Sequence, residues 1–379
     1  MFADISSEMI HSLLPVFLVS VLGASRLTVG LIEGIAEATA LITRVFSGAL
    51  SDYLGRQKLL TALGYGLAAF TKPLFPLAPS VAWVATARFI DRIGKGIRGA
   101  PRDALVGNIA PPHIRGACYG LRQSLDTVGA FAGPLMASIL MALTWNSFRT
   151  VFWIAVAPAF LALALMIFVK EPETARPAGD SRSPIRGRDL PGLGAAYWWL
   201  ALIAALLTLA RFSEAFLVLR AQSLGMPVAL VPLTMVAMNV AYSVSAYPAG
   251  YLSDRMDRRL VLAAGFMVLI GSDIVLALAT GVWQVMAGVM LWGLHMGLTQ
   301  GLLAALVADT TPSPLRGTAF GLFSLTGGAA MLIASFLAGW FWDQYGPQAT
   351  FYAGAGFTTV ALIGLLARRR LDRTAAMVK

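Results

Sequence analysis

Seven ionisable side chains follow one face of residues 82–107, a stretch that is otherwise apolar. At about 100° per residue they fall within an arc of about 140° on a helix, with apolar residues on the opposite side. They are Arg88, Asp91, Arg92, Lys95, Arg98, Arg102 and Asp103. Charges inside an apolar helix must face a water-filled cavity or partner charges. With five cations and two anions, the stripe favours an anionic or zwitterionic ligand.

Partner charges are available on neighbouring apolar stretches. Asp4, Glu8 and His11 share one helix face, and Arg122 and Asp126 form an i, i+4 pair. Glu33, Glu37 and Arg44 form a similar stripe, and Lys72 adds a cation. Two interpretations stay open: a mutually paired structural network, or a subset that binds a ligand or exchanges protons. The candidate residues are Asp4, Glu8, Glu37, Arg88, Asp91, Arg92, Lys95, Arg98, Arg122, Asp126 and Glu214.

The second half of the chain has no equivalent stripe. Arg211 and Glu214 lie at i, i+3, which favours an internal salt bridge, with cavity lining as the alternative. Asp273 also lies within an apolar stretch. His295 could titrate near neutral pH, but a lone histidine in such a stretch favours a hydrogen-bonded core position.

The composition requires an apolar solvent around the chain. Of 379 residues, 58% are hydrophobic and 13% charged, against about 25% charged in soluble domains. A bilayer-crossing helix needs about 20 mostly apolar residues. We predict an all-α membrane protein with twelve transmembrane helices. The predicted spans 1 to 12 are 2–22, 29–50, 59–79, 82–107, 117–142, 149–169, 195–219, 228–250, 259–280, 283–307, 317–340 and 349–367.

The distribution of loop cations predicts the orientation of these spans. One alternate set of connections and tails holds 17 cations, and the other holds only Arg26, Arg149 and Arg220. The positive-inside rule places the richer set and both termini in the cytoplasm, for a multi-pass protein of a prokaryotic inner membrane. The net charge of +10 is therefore a topology signal, and no soluble domain presents it to nucleic acid.

One long polar segment, 171–194, divides the predicted spans into six and six. It is rich in Pro, Gly, Arg and Asp, which is typical of a flexible linker. We expect an N-terminal six-helix bundle at 1–170, a cytoplasmic linker at 171–194, and a C-terminal six-helix bundle with a basic cytoplasmic tail at 195–379.

The two halves repeat at a nearly fixed offset. The stretch 48–58 returns as 250–259 at a shift of 202, and Arg115-Gly-Ala-Cys-Tyr-Gly120-Leu returns as Arg316-Gly-Thr-Ala-Phe-Gly321-Leu at a shift of 201. A fixed period indicates duplicated architecture, and an even shift of six spans gives parallel halves. Ser7-Glu8 corresponds to Ser213-Glu214, which suggests that span 1 begins late.

Several motifs resemble those of the major facilitator superfamily. The loop after span 2 matches its G-x-x-x-D-x-x-G-R-x-K signature at Gly48, Asp52, Gly55, Arg56 and Lys58. A degenerate copy after span 8 contains Asp254 and Arg258, and span 5 contains a similar glycine-proline motif at Gly129, Gly133 and Pro134. The span 4 stripe is similar to that of a prokaryotic branch with a D-R-x-G-K-G-x-R-x-x-P-R-D-A signature. The resemblance implies the twelve-helix fold and a gate, in which Asp52 caps a helix end and Arg56 pairs with an acid. Asp254 and Arg258 would act likewise in the second half.

These observations predict a secondary active transporter, coupled to protons and working by alternating access of two bundles. We favour export by antiport, on the motif of span 5; the alternative is proton-symport uptake of an anionic metabolite or a metal chelate. A membrane-embedded enzyme is a remote alternative, because His11, His113 and His295 lie in separate elements and no catalytic motif is present. We expect a monomer in a lipid bilayer that binds a small-molecule substrate and protons, with no cofactor and no metal site.

Overall fold

The computed structural model describes residues 1–54, 56–169, 192–312 and 315–377, and in these ranges the chain is helical with no strand. The linker predicted at 171–194 lies mostly outside the described residues. Fourteen α-helices occur in the described part of the chain. They are α1 Phe2–His11, α2 Leu14–Ser20, α3 Arg26–Leu54, α4 Gln57–Thr71, α5 Val81–Ile109, α6 Arg115–Leu143, α7 Phe148–Leu165, α8 Ala195–Ala210, α9 Ala215–Ser223, α10 Leu233–Arg255, α11 Arg258–Leu278, α12 Val282–Thr310, α13 Arg316–Tyr345 and α14 Pro347–Met377.

Nine helical stretches of the described residues are long and apolar enough to cross a membrane. The stretches that do not qualify are α3, α4 and α5. Helices α3 and α5 carry the predicted charged stripes, and α4 has only 15 residues. The number of twelve spans therefore stays a prediction. Helix α5 runs without interruption through Pro101.

Spans 1 and 7, which the sequence predicts as continuous helices, are each broken in the structure. Span 1 is divided between α1 and α2, where Pro15 has no N–H to continue the ladder of backbone hydrogen bonds. Span 7 is divided at 211–214, where the Ser213 N–H donates to Ser335 Oγ at 3.2 Å instead of to a carbonyl of its own helix. Each break lies in the first predicted span of its half.

Helix contacts follow the two halves of the chain. Among residues 1–169, α1 packs against α6 and α7, while α5 packs against α3 and α4. Among residues 192–377, α12 packs against α10 and α11, and α14 packs against α8 and α11. The halves meet where α3 contacts α13, where α6 contacts α10 and where α2 contacts α9.

Backbone-to-backbone contact at glycines brings α3 and α13 together at one end of the molecule. A Cβ added at Gly34 would lie 3.1 Å from Leu332 Cα, and one at Gly339 would lie 2.6 Å from Leu27 Cα. Only glycine permits such an approach, and small residues at helix contacts are typical of membrane proteins. We call this end, where α2, α3, α9 and α13 meet, the closed end.

Hydrogen bonds also join the two halves at the closed end. The Asp343 carboxylate of α13 accepts bonds from the first N–H groups of α3, 3.2 Å from Arg26 N and 2.8 Å from Leu27 N. These N–H groups have no partner inside their own helix, so the carboxylate caps α3 across the interface. Gln222 donates to Ser20 Oγ at 2.7 Å in the same region.

The two halves separate towards the other end of the molecule. Phe46 of α3 is 56% exposed and Tyr247 of α10 is 81% exposed, whereas Val29 and Met235, in the first turns of the same two helices, are 0% and 3% exposed. We call this end, which includes the connections at 54–57 and 110–114, the open end. The two halves therefore close on each other at one end only.

We expect the substitution Gly339→Ala to weaken the closed end. The new Cβ would lie 2.5 Å from the Arg26 carbonyl oxygen and 2.6 Å from Leu27 Cα, so backbone must move apart. Spin labels at Val21→Cys and Gln344→Cys would report the distance between the halves by pulsed electron resonance. The distance should lengthen in Gly339→Ala. The matched control is Gly327→Ala, on the same helix with open space beside it; equal distances in both variants would contradict the role of this contact.

Candidate functional site

A cavity of about 270 Å³ lies between the two halves. The first half lines it with Glu8, His11, Glu37, Arg92, Lys95 and Ala130. The second half lines it with Arg211, Phe212, Ser213, Glu214, Met235, Asn239, Trp292 and Met331. An adjoining cavity of about 370 Å³ shares Glu8, Glu37 and Lys95 and extends to Arg44 and Arg102 towards the open end. We refer to the first as the central cavity.

The predicted site residues fall into four groups around this space. Glu8, Glu37, Arg92, Lys95 and Glu214 line the central cavity. Asp4, Arg98 and Asp126 line only the adjoining cavity. Arg88 and Asp91 are buried behind the cavity wall, and Arg122 belongs to an ion-pair network at the open end.

Two ion pairs form the buried layer. Arg88 of α5 donates to Glu33 of α3 at 2.8 Å, and Lys72 donates to Asp91 of α5 at 2.9 Å. All four side chains are almost completely buried. Buried opposite charges at this distance neutralise each other, and removal of one partner would leave an uncompensated charge. Arg88 and Asp91 therefore fit the structural-network interpretation. The sequence places Glu33 on the same helix face as Glu37, but it is not one of the predicted site residues.

A second network joins α3, α5 and α6 at the open end. Asp103 accepts from Arg122 at 2.8 Å and from Arg44 at 3.2 Å. Asp126 accepts from Arg102 at 3.3 Å and from Arg122 at 3.4 Å. These groups are partly exposed, so each ion pair alone contributes little stability. Because the two aspartates each accept from at least two arginines, the network links the three helices to one another.

Within the central cavity, most charges lack a close partner. Arg92 and Glu37 pair at 3.2 Å. The side chain of Lys95 makes no ion pair or hydrogen bond with a described residue, and neither do the side chains of Arg211 and Glu214. The salt bridge predicted between Arg211 and Glu214 is wrong, because the span is broken at these residues and their i, i+3 spacing no longer puts them on one helix face. The alternative interpretation, cavity lining, is the one observed.

Glycines of α6 determine how closely Glu8 approaches this wall. A Cβ at Gly133 would lie 2.6 Å from Glu8 Cβ, and one at Gly129 would lie 2.7 Å from Asp4 Cβ. The structure thus places these two residues of the glycine-proline motif at the packing of α1 on α6. Pro134 lies inside α6 without ending the helix.

His11 connects the cavity to the buried layer. Its Nδ1 lies 3.9 Å from Glu8 Oε2, and its Nε2 lies 3.6 Å from Glu33 Oε2. Glu33 in turn pairs with Arg88. The sequence predicts only that His11 lies on the same helix face as Asp4 and Glu8. Its contact with Glu33 depends on how α1 packs against α3, which the spacing of residues in the sequence does not reveal.

The residues predicted to form a gate lie at the open end, and their role stays a prediction. Gly55 and the side chain of Asp52 lie outside the described residues. Gly48 packs against α5, where an added Cβ would lie 3.3 Å from Ala100 Cβ. Arg56 is exposed and forms no ion pair within the described residues. Lys58 donates to the Ile167 carbonyl at 3.5 Å.

In the second half, Arg258 bonds to Asp309 at 2.5 Å and lies 3.8 Å from Asp254. This contact joins α11 to α12 within one half rather than across the gap. His295 is fully buried beside the Trp292 ring, with 5.4 Å between ring centroids, and the sequence hypothesis about its titration stays open.

Because Arg88 is buried and paired whereas Lys95 has no observed partner, substituting these two cations should affect stability very differently. Arg88→Met leaves Glu33 buried and uncompensated, and should lower the free energy of unfolding by about 3–5 kcal/mol. The double change Arg88→Met with Glu33→Gln should recover a large part of that loss. Lys95→Met removes no observed contact and should change stability by about 0.5 kcal/mol or less. Unfolding in mixed detergent micelles measures all three; a loss in Lys95→Met equal to that in Arg88→Met would contradict this division.

A family model, the sequence of a relative and solved structures all indicate the same superfamily fold. The model of the Major Facilitator Superfamily matches residues 1–219 and again residues 200–377. The MFS-type transporter MJ1317 of Methanocaldococcus jannaschii is 32% identical over 371 residues, which cover 96% of this chain and 91% of that protein.

Two solved structures share the fold. The nucleoside transporter NupG has a TM-score of 0.78 at 13% identity, with 97% of this chain and 96% of NupG covered. A POT family transporter in complex with 5-aminolevulinic acid has a TM-score of 0.79 at 12% identity, with 98% and 95% covered.

Proposed function

Because the chain belongs to the Major Facilitator Superfamily and is a transporter rather than an enzyme, we propose that it carries a small zwitterionic molecule across the membrane by alternating access. The carrier couples this movement to protons. The helices act as two six-helix bundles, residues 1–170 and 195–379, joined by the segment 171–194.

One observation carries this proposal: charges that pair with no lysine, arginine or carboxylate of the described residues face the central cavity from both halves. Glu8 and Lys95 come from the first half, and Arg211 and Glu214 come from the second. Each half offers one anion and one cation. A ligand with both signs of charge could satisfy groups on both halves at once, by charge-assisted hydrogen bonds. A ligand with one sign would leave the opposite charges unsatisfied.

The cavity supports a small substrate. Its volume of about 270 Å³ is at the lower end of ligand pockets, which hold about 300–1,000 Å³. Trp292, Phe212 and Met235 give the second half an apolar wall. A metabolite with one carboxylate or phosphate, one ammonium group and a short apolar body fits this lining.

The one-ended closure supports alternating access. Contact at the glycines and at Asp343 holds the closed end, while the open end gives the solvent a path to Glu8 and Lys95. The loop cations support a cytoplasmic location for the open end, under the positive-inside rule. A ligand that draws Lys95 towards Glu214 would favour closure of the open end, since a ligand shifts a conformational equilibrium by its differential affinity.

The sequence argument for export by antiport is weaker in light of the packing. Gly129 and Gly133 have a structural reason to be glycine, the approach of α1, that does not depend on transport direction. Proton-symport uptake therefore stands beside export in this proposal, and a transport assay in sealed vesicles of known orientation decides between them.

A ligand-stabilisation screen tests the proposed substrate class. Purified protein would be heated with amino acids, small peptides, simple carboxylates and lipophilic amines, because a binder raises the melting temperature by mass action. We expect hits among zwitterions. Their effect should weaken in Lys95→Met and in Arg211→Met, with a loss in affinity of about tenfold or more per lost charged contact.

The control is Arg255→Met, which removes an exposed cation that stacks on Tyr251 outside the cavity. This variant should bind hits as well as the unchanged protein. Hits confined to lipophilic amines that survive Lys95→Met would contradict the zwitterion proposal and favour multidrug export.

Proton coupling is proposed to run through His11. The ring lies between cavity-facing Glu8 and buried Glu33, and the cations Lys72, Arg88, Arg92 and Lys95 lie around it. Burial and these cations disfavour a charged ring, so a proton that enters at Glu8 would stay on His11 only transiently, and the imidazolium would then compete with Arg88 for Glu33. The contact between α3 and α5 would change with protonation.

In proteoliposomes loaded with a hit from the screen, His11→Gln should keep substrate exchange but lose accumulation driven by a pH gradient. The ring has no other described ion pair, so binding should survive. The matched control is His113→Gln, an exposed histidine at the open end, which should accumulate substrate normally. Accumulation by His11→Gln at the normal level would contradict the relay.

A further inference from the structure

A carboxyl group outside the central cavity is fully buried and has no hydrogen-bond partner in the described part of the chain. Asp273 of α11 has no solvent exposure, and neither Oδ1 nor Oδ2 has a hydrogen-bond partner within the described residues. This contrasts with Glu33 and Asp91 in the first half, which are equally buried and pair with cations.

The surroundings of Asp273 are shaped around its carboxyl group. A Cβ added at Gly354 of α14 would lie 2.7 Å from Oδ2 and 3.3 Å from Cε1 of Phe212. Any larger residue at 354 would therefore displace the carboxyl group or the ring. Helix α14, helix α11 and the break in span 7 enclose the group together.

Among the described residues, no charge compensates this carboxyl group. The elements packed around it carry the titratable and charged groups Tyr197, Arg211, Glu214, Arg220, Tyr242, Tyr247, Tyr251, Asp254, Arg255, Arg258, Arg259, His295, Asp309 and Tyr352. None of these forms an ion pair or hydrogen bond with Asp273. An isolated carboxylate in an apolar site is so unfavourable that such a group takes up a proton instead.

We propose that Asp273 is a proton-binding site of the second half, which holds a proton while the closed end is closed and exchanges it when that end opens. Asp273 lies five residues before the end of α11, at the closed end. The break in span 7 supplies the access route. Phe212 lies in that break, lines the central cavity and adjoins the Asp273 site.

This site is separate from the path through Glu8, His11 and Glu33. Two proton sites, one in each half, would respond to different ends of the molecule: Glu8 to the open end and Asp273 to the closed end. The use of the proton in transport rests on the proposed function, but its presence on Asp273 does not, and can be measured without a substrate.

Infrared spectroscopy of the purified protein tests the proposal directly. A buried protonated carboxyl group gives a carbonyl stretching band that is absent from carboxylates. We expect this band at neutral pH in the unchanged protein and its loss in Asp273→Asn. Asp254→Asn, the same chemical change at an exposed side chain, should leave the band intact. Gly354→Ala should shift its frequency, since the new Cβ would press on Oδ2. A spectrum unchanged by Asp273→Asn would overturn the proposal.

Deuterium exchange tests the access route. The band should shift slowly in deuterated buffer while the closed end is closed, and faster in Asp343→Ala, which loses the cap on α3. Equal exchange rates would overturn exposure through the closed end.

Stability supplies a measurement that does not depend on spectral assignment. Because the folded state keeps the proton, stability falls as pH rises above the range in which an unfolded carboxyl group loses its proton. The melting temperature of Asp273→Asn relative to the unchanged protein should therefore rise between pH 5 and pH 9, while that of Asp254→Asn should stay constant. A constant difference for Asp273→Asn would contradict the protonated state. A failed substrate screen would leave all three results unaffected, so the two proposals fail separately.

Discussion

The cost of an unpaired charge in an apolar environment governs the organisation of this protein. Helix α5 carries more charge than any ordinary membrane-crossing helix, and it is tolerated because α3 and the end of α4 supply matched acids and a matched base. The pairs Arg88 with Glu33 and Lys72 with Asp91 are completely buried, and each joins α5 to a different neighbour. A buried pair of this kind adds little net stability compared with apolar residues, but it strongly penalises any other arrangement of the same helices. The charges therefore specify how α5 sits in the first half.

Because so many charges are satisfied within the first half, those that remain are the candidates for the proposed site. Lys95 lies one turn from Arg92, yet Arg92 pairs with Glu37 while Lys95 lines the cavity and has no partner among the described residues. Its counterparts in the second half, Arg211 and Glu214, are displayed by a break in a helix rather than by a stripe on one. The break in span 1 follows α1, whose residues Glu8 and His11 line the same cavity. Helix breaks at membrane depth are tolerated where they line a cavity or are buried in protein, which is the situation of both.

The sequence predicts the helical class and the charged stripe, because hydropathy and the 3.6-residue period are local properties. It also shows that neighbouring stretches carry charges of opposite sign, which leaves open whether they form a paired network or bind a ligand. It does not predict which acid meets which base: Glu33 and Glu37 are one turn apart, and only the packing of α3 on α5 assigns them to Arg88 and Arg92. The pairing of Arg211 with Glu214 fails as a prediction because it assumes an intact helix. The bond that replaces helical hydrogen bonding there comes from Ser335, which is more than 120 residues away in the chain. The closed end depends on contacts of Gly34 and Gly339 with the opposite half. The spacing of residues along the sequence does not predict these contacts either.

The difference between the halves explains how one scaffold can hold two kinds of buried acid. In the first half every deeply buried carboxylate has a cation within 3 Å, so it can stay ionised. Around Asp273 the second half instead places aromatic rings, with Phe212 packed against Trp292 and Phe351 at centroid distances of 5.3 and 5.6 Å. A cation in this cluster would fix the carboxylate in its ionised form, and a hydrogen-bond donor would do so more weakly. The aromatic surroundings leave the group free to hold a proton and make release depend on a change of conformation. Since Phe212 belongs both to this cluster and to the wall of the central cavity, a ligand that moves the break in span 7 acts on both sites through one side chain.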